Sequence, residues 1–242
     1  MRTMSVQHHS SMHHGPSSSA RATCRVLVDF DGTVAPDDPT DRLFERFADP
    51  SWRDIEDAWQ AGRISSRECM RRQVALLRAT PEQLDDAIRN VRVDPGFRRF
   101  LRFCSRQGMG VSIVSDGPDR LVRAVLQRER LAVPFFANRL EWRGGDRWHL
   151  AYPYARRDCR VSGANCKCSH GARPRNGRCI VIGDGRSDFC MSAHADFVIA
   201  KGTLADFCRS RGLPHGAFDN FDHVTAHVCK WLESSLADAR PP

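Results

Sequence analysis

Asp29 and Asp31 stand one residue apart in Asp29-Phe30-Asp31-Gly32-Thr33, directly after the apolar run Val26-Leu27-Val28. Two carboxylates this close repel each other unless a cation or a shared proton relieves them. At the tip of a buried strand they would face the crevice where open α/β sheets bind ligands. A plain strand-end turn can also carry two Asp, but the pair weighs toward chemistry. Two later apolar runs end in the same way. Gly110-Val111-Ser112-Ile113-Val114 leads into Ser115, Asp116 and Gly117. Cys179-Ile180-Val181-Ile182 leads into Asp184 and, four residues on, Asp188.

These groups meet only if their strands are parallel, because a parallel sheet gathers all strand carboxyl ends along one edge. The three runs read as such strands: short, apolar and stopped by Gly or polar residues. Between the first and second strands, helical spacing and capping residues predict four helices in a row over 40–93. Thr40 is expected to cap the first, Ser51 the second, and Ser65 or Ser66 the third, with Pro81 opening the fourth. Four helices between two strands suggest an insertion rather than a single crossover. A returning helix is expected over 94–107 and a crossover helix over 119–130. Strands are expected over 135–142 and 147–151, joined by a Gly144-Gly145-Asp146 turn, and again over 195–200. A closing helix over 221–236 would bury Phe221, Val224, Val228, Trp231 and Leu232 on one face. The fold class is therefore α/β, a Rossmann-like parallel sheet with helices on both faces and an inserted helical cap. The expected division is a disordered arm at 1–23, a core of 24–39 and 94–242, and a cap of 40–93.

The motif order resembles that of the haloacid dehalogenase superfamily of phosphatases. Asp-Phe-Asp-Gly-Thr matches the first motif, Ser115 the second, and Asp184 with Asp188 the fourth. The third motif is a Lys upstream of the fourth. Lys167 is the one lysine between the first strand and that point, in a chain whose other lysines are Lys201 and Lys230. The resemblance implies roles. Asp29 would be the nucleophile, and Asp31 the acid and then the base. Ser115, Asp116, Gly117 and Lys167 would bind phosphate, although Asp116 could equally well only shape its turn. Asp29, Asp31 through its backbone carbonyl, and Asp184 would ligate Mg²⁺, with Asp188 beside or among them. The layout is similar to the phosphoserine phosphatase-like branch and closer still to the phosphatases of methionine salvage. That implies a small phosphorylated metabolite as partner. A haloacid dehalogenase would not need Asp31 as an acid.

The 242 residues carry a formal charge of +8, nearly all of the basic side chains being Arg. On charge alone a nucleic-acid-binding protein is the rival reading, but no binding motif accompanies it. No apolar run suits a membrane span or a signal peptide, so a cytoplasmic location is expected. Ten Cys form no small disulfide scaffold and are expected to be mostly reduced. Cys159, Cys166, Cys168 and His170 could form a zinc site, but they lack paired C-x-x-C spacing, and reduced loop thiols or a disulfide under oxidation together weigh more. Cys24, Cys179, Cys190 and Cys229 are expected to fill core space.

Overall fold

The computed structural model describes residues 24–171 and 177–237; the expected arm at 1–23 and the chain after 237 lie outside them. The chain enters through β1 (Cys24–Val28). Then come α1 (Pro39–Phe47), α2 (Trp52–Gln60), α3 (Ser66–Leu76) and α4 (Pro81–Arg89), before α5 (Phe97–Arg106) returns to β2 (Gly110–Pro118). After α6 (Asp119–Arg128), a hairpin of β3 (Phe135–Trp142) and β4 (Trp148–Ala151) leads to the short α7 (Lys167–His170) and β5 (Arg178–Gly183). A 3-10 turn at Arg186–Asp188, α8 (Phe189–Ser192), β6 (Phe197–Ala200), α9 (Gly202–Arg211), β7 (His215–Ala217) and α10 (Phe221–Ala237) complete it.

The strands form one sheet in the order β4-β3-β2-β1-β5-β6-β7. All neighbours pair in parallel except β3 and β4, which are antiparallel. β1 lies near the middle, in register with β2 (Val28 opposite Ile113) and β5 (Val28 opposite Ile182). Successive side chains of a strand point to opposite faces, and two buried clusters divide accordingly. Val26, Val28, Ile180 and Ile182 pack with Phe97, Phe100, Phe221 and Val224 on one face. Leu27, Cys179 and Val181 pack with Met191, Leu204 and Cys208 on the other. A strand buried on both faces cannot alternate polar and apolar residues, which is why β1 and β5 read as unbroken apolar runs.

Several local expectations need correction. Asp38, not Thr40, caps α1: its carboxylate accepts the Asp41 N–H at 3.1 Å, and Pro39 occupies the first turn. A proline there loses no hydrogen bond, since that N–H has no helical partner. Ser51 precedes α2 but its hydroxyl turns to Asp49 Oδ1 at 2.6 Å instead of capping. Ser65 caps α3 through the Glu68 N–H, and Thr80 with Gln83 forms a capping box at α4. The returning helix begins at Phe97 because Asp94 is used otherwise, accepting the Gly96 and Phe221 N–H groups. α9 and β7 were not foreseen. α7 stands where a loop was expected.

The four helices α1–α4 sit over the hairpin side of the sheet edge. The Trp148 indole donates to the Ala79 carbonyl at 2.8 Å, and the Ser66 hydroxyl accepts the Ala164 N–H at 3.0 Å.

Candidate active site

The Asp29 N–H still bonds the Ile182 carbonyl, at 2.9 Å, so Asp29 is the last residue tied into the sheet. The chain then folds back. The Thr33 and Ala35 N–H groups both reach the Phe30 carbonyl, and Gly32 sits at φ +70°, a conformation that disfavours side chains. A Cβ on Gly32 would also lie 2.3 Å from Asp184 Oδ2. This turn places Asp31 beside β2 while Asp29 stays beside β5.

Asp29, Asp184 and Asp188 come together, each with an oxygen within 4.8 Å of the others. Asp29 and Asp188 are buried. The Lys167 ammonium, itself only 3% exposed, donates to Asp29 Oδ1 at 2.7 Å, Asp188 Oδ1 at 2.8 Å and Ser187 Oγ at 2.8 Å. Asp184 Oδ1 accepts the Thr33 hydroxyl at 2.7 Å. Asp188 Oδ2 faces the Asp184 and Gly185 N–H groups, at 3.3 and 3.4 Å.

One ammonium does not balance three carboxylates in this space. Burial and the charges of Asp188 and Asp184 hold Asp29 well above the usual carboxylate range, with Lys167 opposing them. Burial, then Asp188, raises Asp184 to about 6. A hard divalent cation would relieve that repulsion, and the donors suit it: carboxylate oxygens, as Mg²⁺ prefers. The backbone makes room for the set, because a Cβ on Gly183 would lie 2.3 Å from Asp188 Oδ2. The residues therefore fit a divalent cation.

Asp31 is held apart from this cluster. Its Oδ1 accepts the Thr40 N–H at 3.0 Å and its Oδ2 the Ser115 hydroxyl at 3.2 Å. Burial raises its pKa, partly offset by those hydrogen bonds from Thr40 and Ser115. The Ser115 hydroxyl in turn accepts the Gly117 N–H at 2.9 Å. Asp116 Oδ1 accepts the Asn165 N–H at 3.0 Å, and the Asp116 carbonyl accepts from Asn138 at 2.7 Å. The Asn165 side chain bonds the Ser115 and Phe136 carbonyls.

A cavity of about 350 Å³ opens above the two carboxylates of β1. Asp38, Asp41 and Glu56 line it along with Trp59 and Met70. Asp38 holds a left-handed backbone, φ 46°, uncommon for a residue with a side chain. Burial and the neighbouring Asp31 and Asp41 raise its pKa to about 8. Burial, then Glu56 and Asp31, raises Asp41 to about 7.

Of the four groups considered for zinc, no three come close enough to share an ion, and His170 is turned elsewhere. His170 Nε2 lies 2.8 Å from Asn165 Oδ1, and the ring stacks on Phe136 at 4.3 Å. Burial lowers its pKa to about 4, so it is neutral at physiological pH. Cys166 and Cys168 have sulfurs 3.7 Å apart, and Cys190 comes beside Cys168 instead of filling core space. Among the described residues, the acidic triad is the one group of three ligands close enough to share an ion.

Sequence reasoning missed Asn165, Ser187, Thr33 and the acidic wall of Asp38, Asp41 and Glu56. Thr33 lies in the first motif, and Ser187 lies between Asp184 and Asp188. Asn165 and the wall carry no such signal, since a polar residue in a loop or helix is usually solvated.

Comparison with known proteins follows the same lines. The profile of the haloacid dehalogenase-like hydrolases matches residues 26–193. A 2-hydroxy-3-keto-5-methylthiopentenyl-1-phosphate phosphatase of Geobacillus kaustophilus is 33% identical over 205 residues, 82% of this chain and 92% of that protein. One of the same name from Bacillus velezensis is 28% identical over 232 residues, 90% of this chain and 97% of that protein. Among solved structures, a phospho-aspartyl intermediate analogue of phosphoserine phosphatase superposes with a TM-score of 0.63 at 21% identity, covering 83% of this chain and 95% of that one. The phosphoserine phosphatase of T. onnurineus gives 0.66 at 17%, covering 88% and 98%. At such identities the structures speak for the fold alone.

Proposed function

The chain belongs to the haloacid dehalogenase-like hydrolases, and from that premise we propose that it is a Mg²⁺-dependent phosphatase of a small phosphorylated metabolite, working through an aspartyl phosphate. Its phosphatase relatives make it a phosphoric monoester hydrolase. The observation that carries the mechanism is the separation of the two β1 carboxylates: Asp29 faces Lys167, and Asp31 faces Ser115.

Lys167 engages one oxygen of Asp29, and the other would attack phosphorus in line with the departing alkoxide. Asp31, whose pKa burial raises, would give a proton to the alkoxide. It then takes a proton from the water that splits the acyl phosphate, releasing inorganic phosphate and restoring Asp29. The Ser115 hydroxyl, oriented by the Gly117 N–H, would bind a phosphoryl oxygen. Lys167 would offset the charge of the others. The engagement of Asp116 by Asn165 supports a turn-shaping role for Asp116. Asp29, the Asp31 carbonyl and Asp184 would hold Mg²⁺, with Asp188 steadying the set. The ion would draw negative charge from the phosphoryl group.

The cap proposed at 40–93 would close over a core of 24–39 and 94–242. Such a lid excludes water and admits only a small leaving group. The name shared by the relatives makes 2-hydroxy-3-keto-5-methylthiopentenyl-1-phosphate the first candidate, and Trp59 and Met70 offer its thioether an apolar wall. Phosphoserine is the second, favoured by Asp38, Asp41 and Glu56, which would receive its ammonium. No described helix is long and apolar enough to cross a membrane, which is compatible with the cytoplasmic location proposed. The test is phosphate release from that enol phosphate, phosphoserine, sugar phosphates and a phosphopeptide, each with Mg²⁺ and with chelator. Asp29→Asn should abolish all of it. Turnover by Asp29→Asn would overturn the covalent route, and preference for the phosphopeptide would overturn the capped site.

A further inference from the structure

Cys168 follows Lys167 directly, and Cys190 lies two residues after Asp188. Twenty-two residues apart in the chain, their sulfurs stand 2.9 Å apart, with the Cys190 thiol donating to Cys168. Both are only partly buried, and both open onto a cavity of about 390 Å³ shared with Lys167 and Ser187. A disulfide needs its sulfurs at about 2.05 Å, so closing this pair takes less than an ångström. The other close sulfur, Cys166, is 3.7 Å from Cys168. A tetrahedral metal centre would need three or four sulfurs gathered around one point. Cys159 also borders Cys166, but no three of the described sulfurs close into a ligand set.

We propose that Cys168 and Cys190 are a reversible disulfide site that reacts with low-molecular-weight disulfides and, when closed, displaces Lys167. One of the two thiols, as thiolate, attacks a sulfur of the reagent, forming a mixed disulfide and releasing one thiol. The second protein thiol then displaces the remaining half. A Cys168–Cys190 bond forms, the reagent's sulfur–sulfur bond is broken, and two molecules of thiol carry away the two protons. The protein loses two electrons and the reagent gains them. Burial and the adjacent Cys190 raise the Cys168 thiol to about 11, so the exchange is slow at neutral pH and faster in alkali.

The functional consequence rests on the phosphatase reading above. The bond joins the same two segments that the Lys167 ammonium already bridges through Ser187 and Asp188. Closing the bond would draw α7 and α8 together, and the three contacts of the ammonium would then not all keep their lengths. A misplacement approaching an ångström at a catalytic group costs rate heavily, and about tenfold is expected here.

The test uses the full chain, with oxidised glutathione as the probe. After treatment, remaining thiols are alkylated and the digest is weighed. The expected product is one cross-linked peptide pair joining Cys168 to Cys190, two hydrogens lighter and reopened by dithiothreitol. Turnover should fall about tenfold and return with the reductant. Cys190→Ser should keep the turnover of the reduced wild type, show no cross-link and lose the redox response. Separate alkylation of both residues, or a stable glutathione adduct on each, would overturn the site. A cross-link that leaves turnover unchanged would overturn the displacement of Lys167. A stoichiometric thiolate-bound metal in the protein as isolated would overturn both. The mass readout is blind to the reaction catalysed, so it stands or falls apart from the phosphatase reading.

Discussion

Replacing Lys167 by Met keeps the length of the side chain and removes its charge. In the wild type the ammonium serves Asp29 and Asp188 at once, and all three side chains are at most 8% exposed. Removing one partner of a buried pair costs about 3–5 kcal/mol, because the other charge is left without compensation. Two carboxylates are stranded here, so the upper part of that range is expected in the absence of a divalent cation. For a domain of this size the loss corresponds to a fall of roughly 6–20 °C in Tm. The deficit depends on pH. Burial already holds Asp29 above the usual carboxylate range, and Lys167 is the influence that lowers it most. Without the lysine, folded Asp29 keeps its proton to higher pH than the unfolded chain does. The folded state then binds more protons, and stability falls as pH rises through that window. The deficit relative to wild type should therefore be smaller on the acid side and grow as pH rises through the Asp29 titration. Urea unfolding in chelator at several pH values measures it, and Mg²⁺ should narrow it by supplying positive charge among the same carboxylates. A deficit under about 1 kcal/mol at every pH, the size of a surface ion pair, would refute this account of the cluster. So would a deficit that does not change with pH.

Other perturbations follow from the same geometry. Asp31→Asn should slow alkyl phosphate turnover about 10²- to 10⁴-fold, and much less for aryl phosphates, whose leaving groups need no proton; equal losses in steady-state kinetics would count against the acid role. Asp184→Ala should raise the Mg²⁺ concentration needed for half-maximal activity or remove activity outright, and an unchanged metal titration would remove Asp184 from the metal set. His170 is held neutral by burial, its pKa lowered to about 4. The unfolded chain therefore binds more protons, and stability should be lost as pH falls from 6.5 toward 4. His170→Gln should flatten that limb in acid unfolding curves, and an unaltered limb would assign it to other groups.

The sequence made the catalytic edge legible because the chemistry sits where apolar runs stop. Asp29, Asp31, Asp184 and Asp188 follow buried strands and Ser115 stands in β2 directly after its apolar run, and such runs announce themselves. Lys167 was legible through scarcity, as a lysine in a chain that otherwise uses Arg. α9 was not: Gly202-Thr203-Leu204-Ala205-Asp206 offers little periodic apolar spacing, and β7 has three residues. The grouping of His170 with the cysteines followed nearness along the chain. In space a short helix turns the imidazole to Asn165 and Phe136, while β5 and its turn bring Cys190 to Cys168 from 22 residues away. The acidic wall stayed hidden for a related reason. Asp38 and Asp41 at the start of α1 and Glu56 within α2 resemble any solvated helix carboxylates until the cavity encloses them.

The central place of β1 bears on how the protein is made. Thr33 and Asp184, which bond each other in the finished molecule, are 151 residues apart. At a synthesis rate of about 5–20 residues per second, roughly 8–30 s pass between their emergence from the ribosome. For about the first half of that interval β1 has no strand beside it; once β2 is made it has a partner on one side and nothing on the other, while its apolar face toward Val181 and Met191 has no cover. A ribosome stalled between β4 and β5 would hold a chain with Asp29 already made, Asp184 and Asp188 still to come, and an open strand edge available to chaperones or to its neighbours.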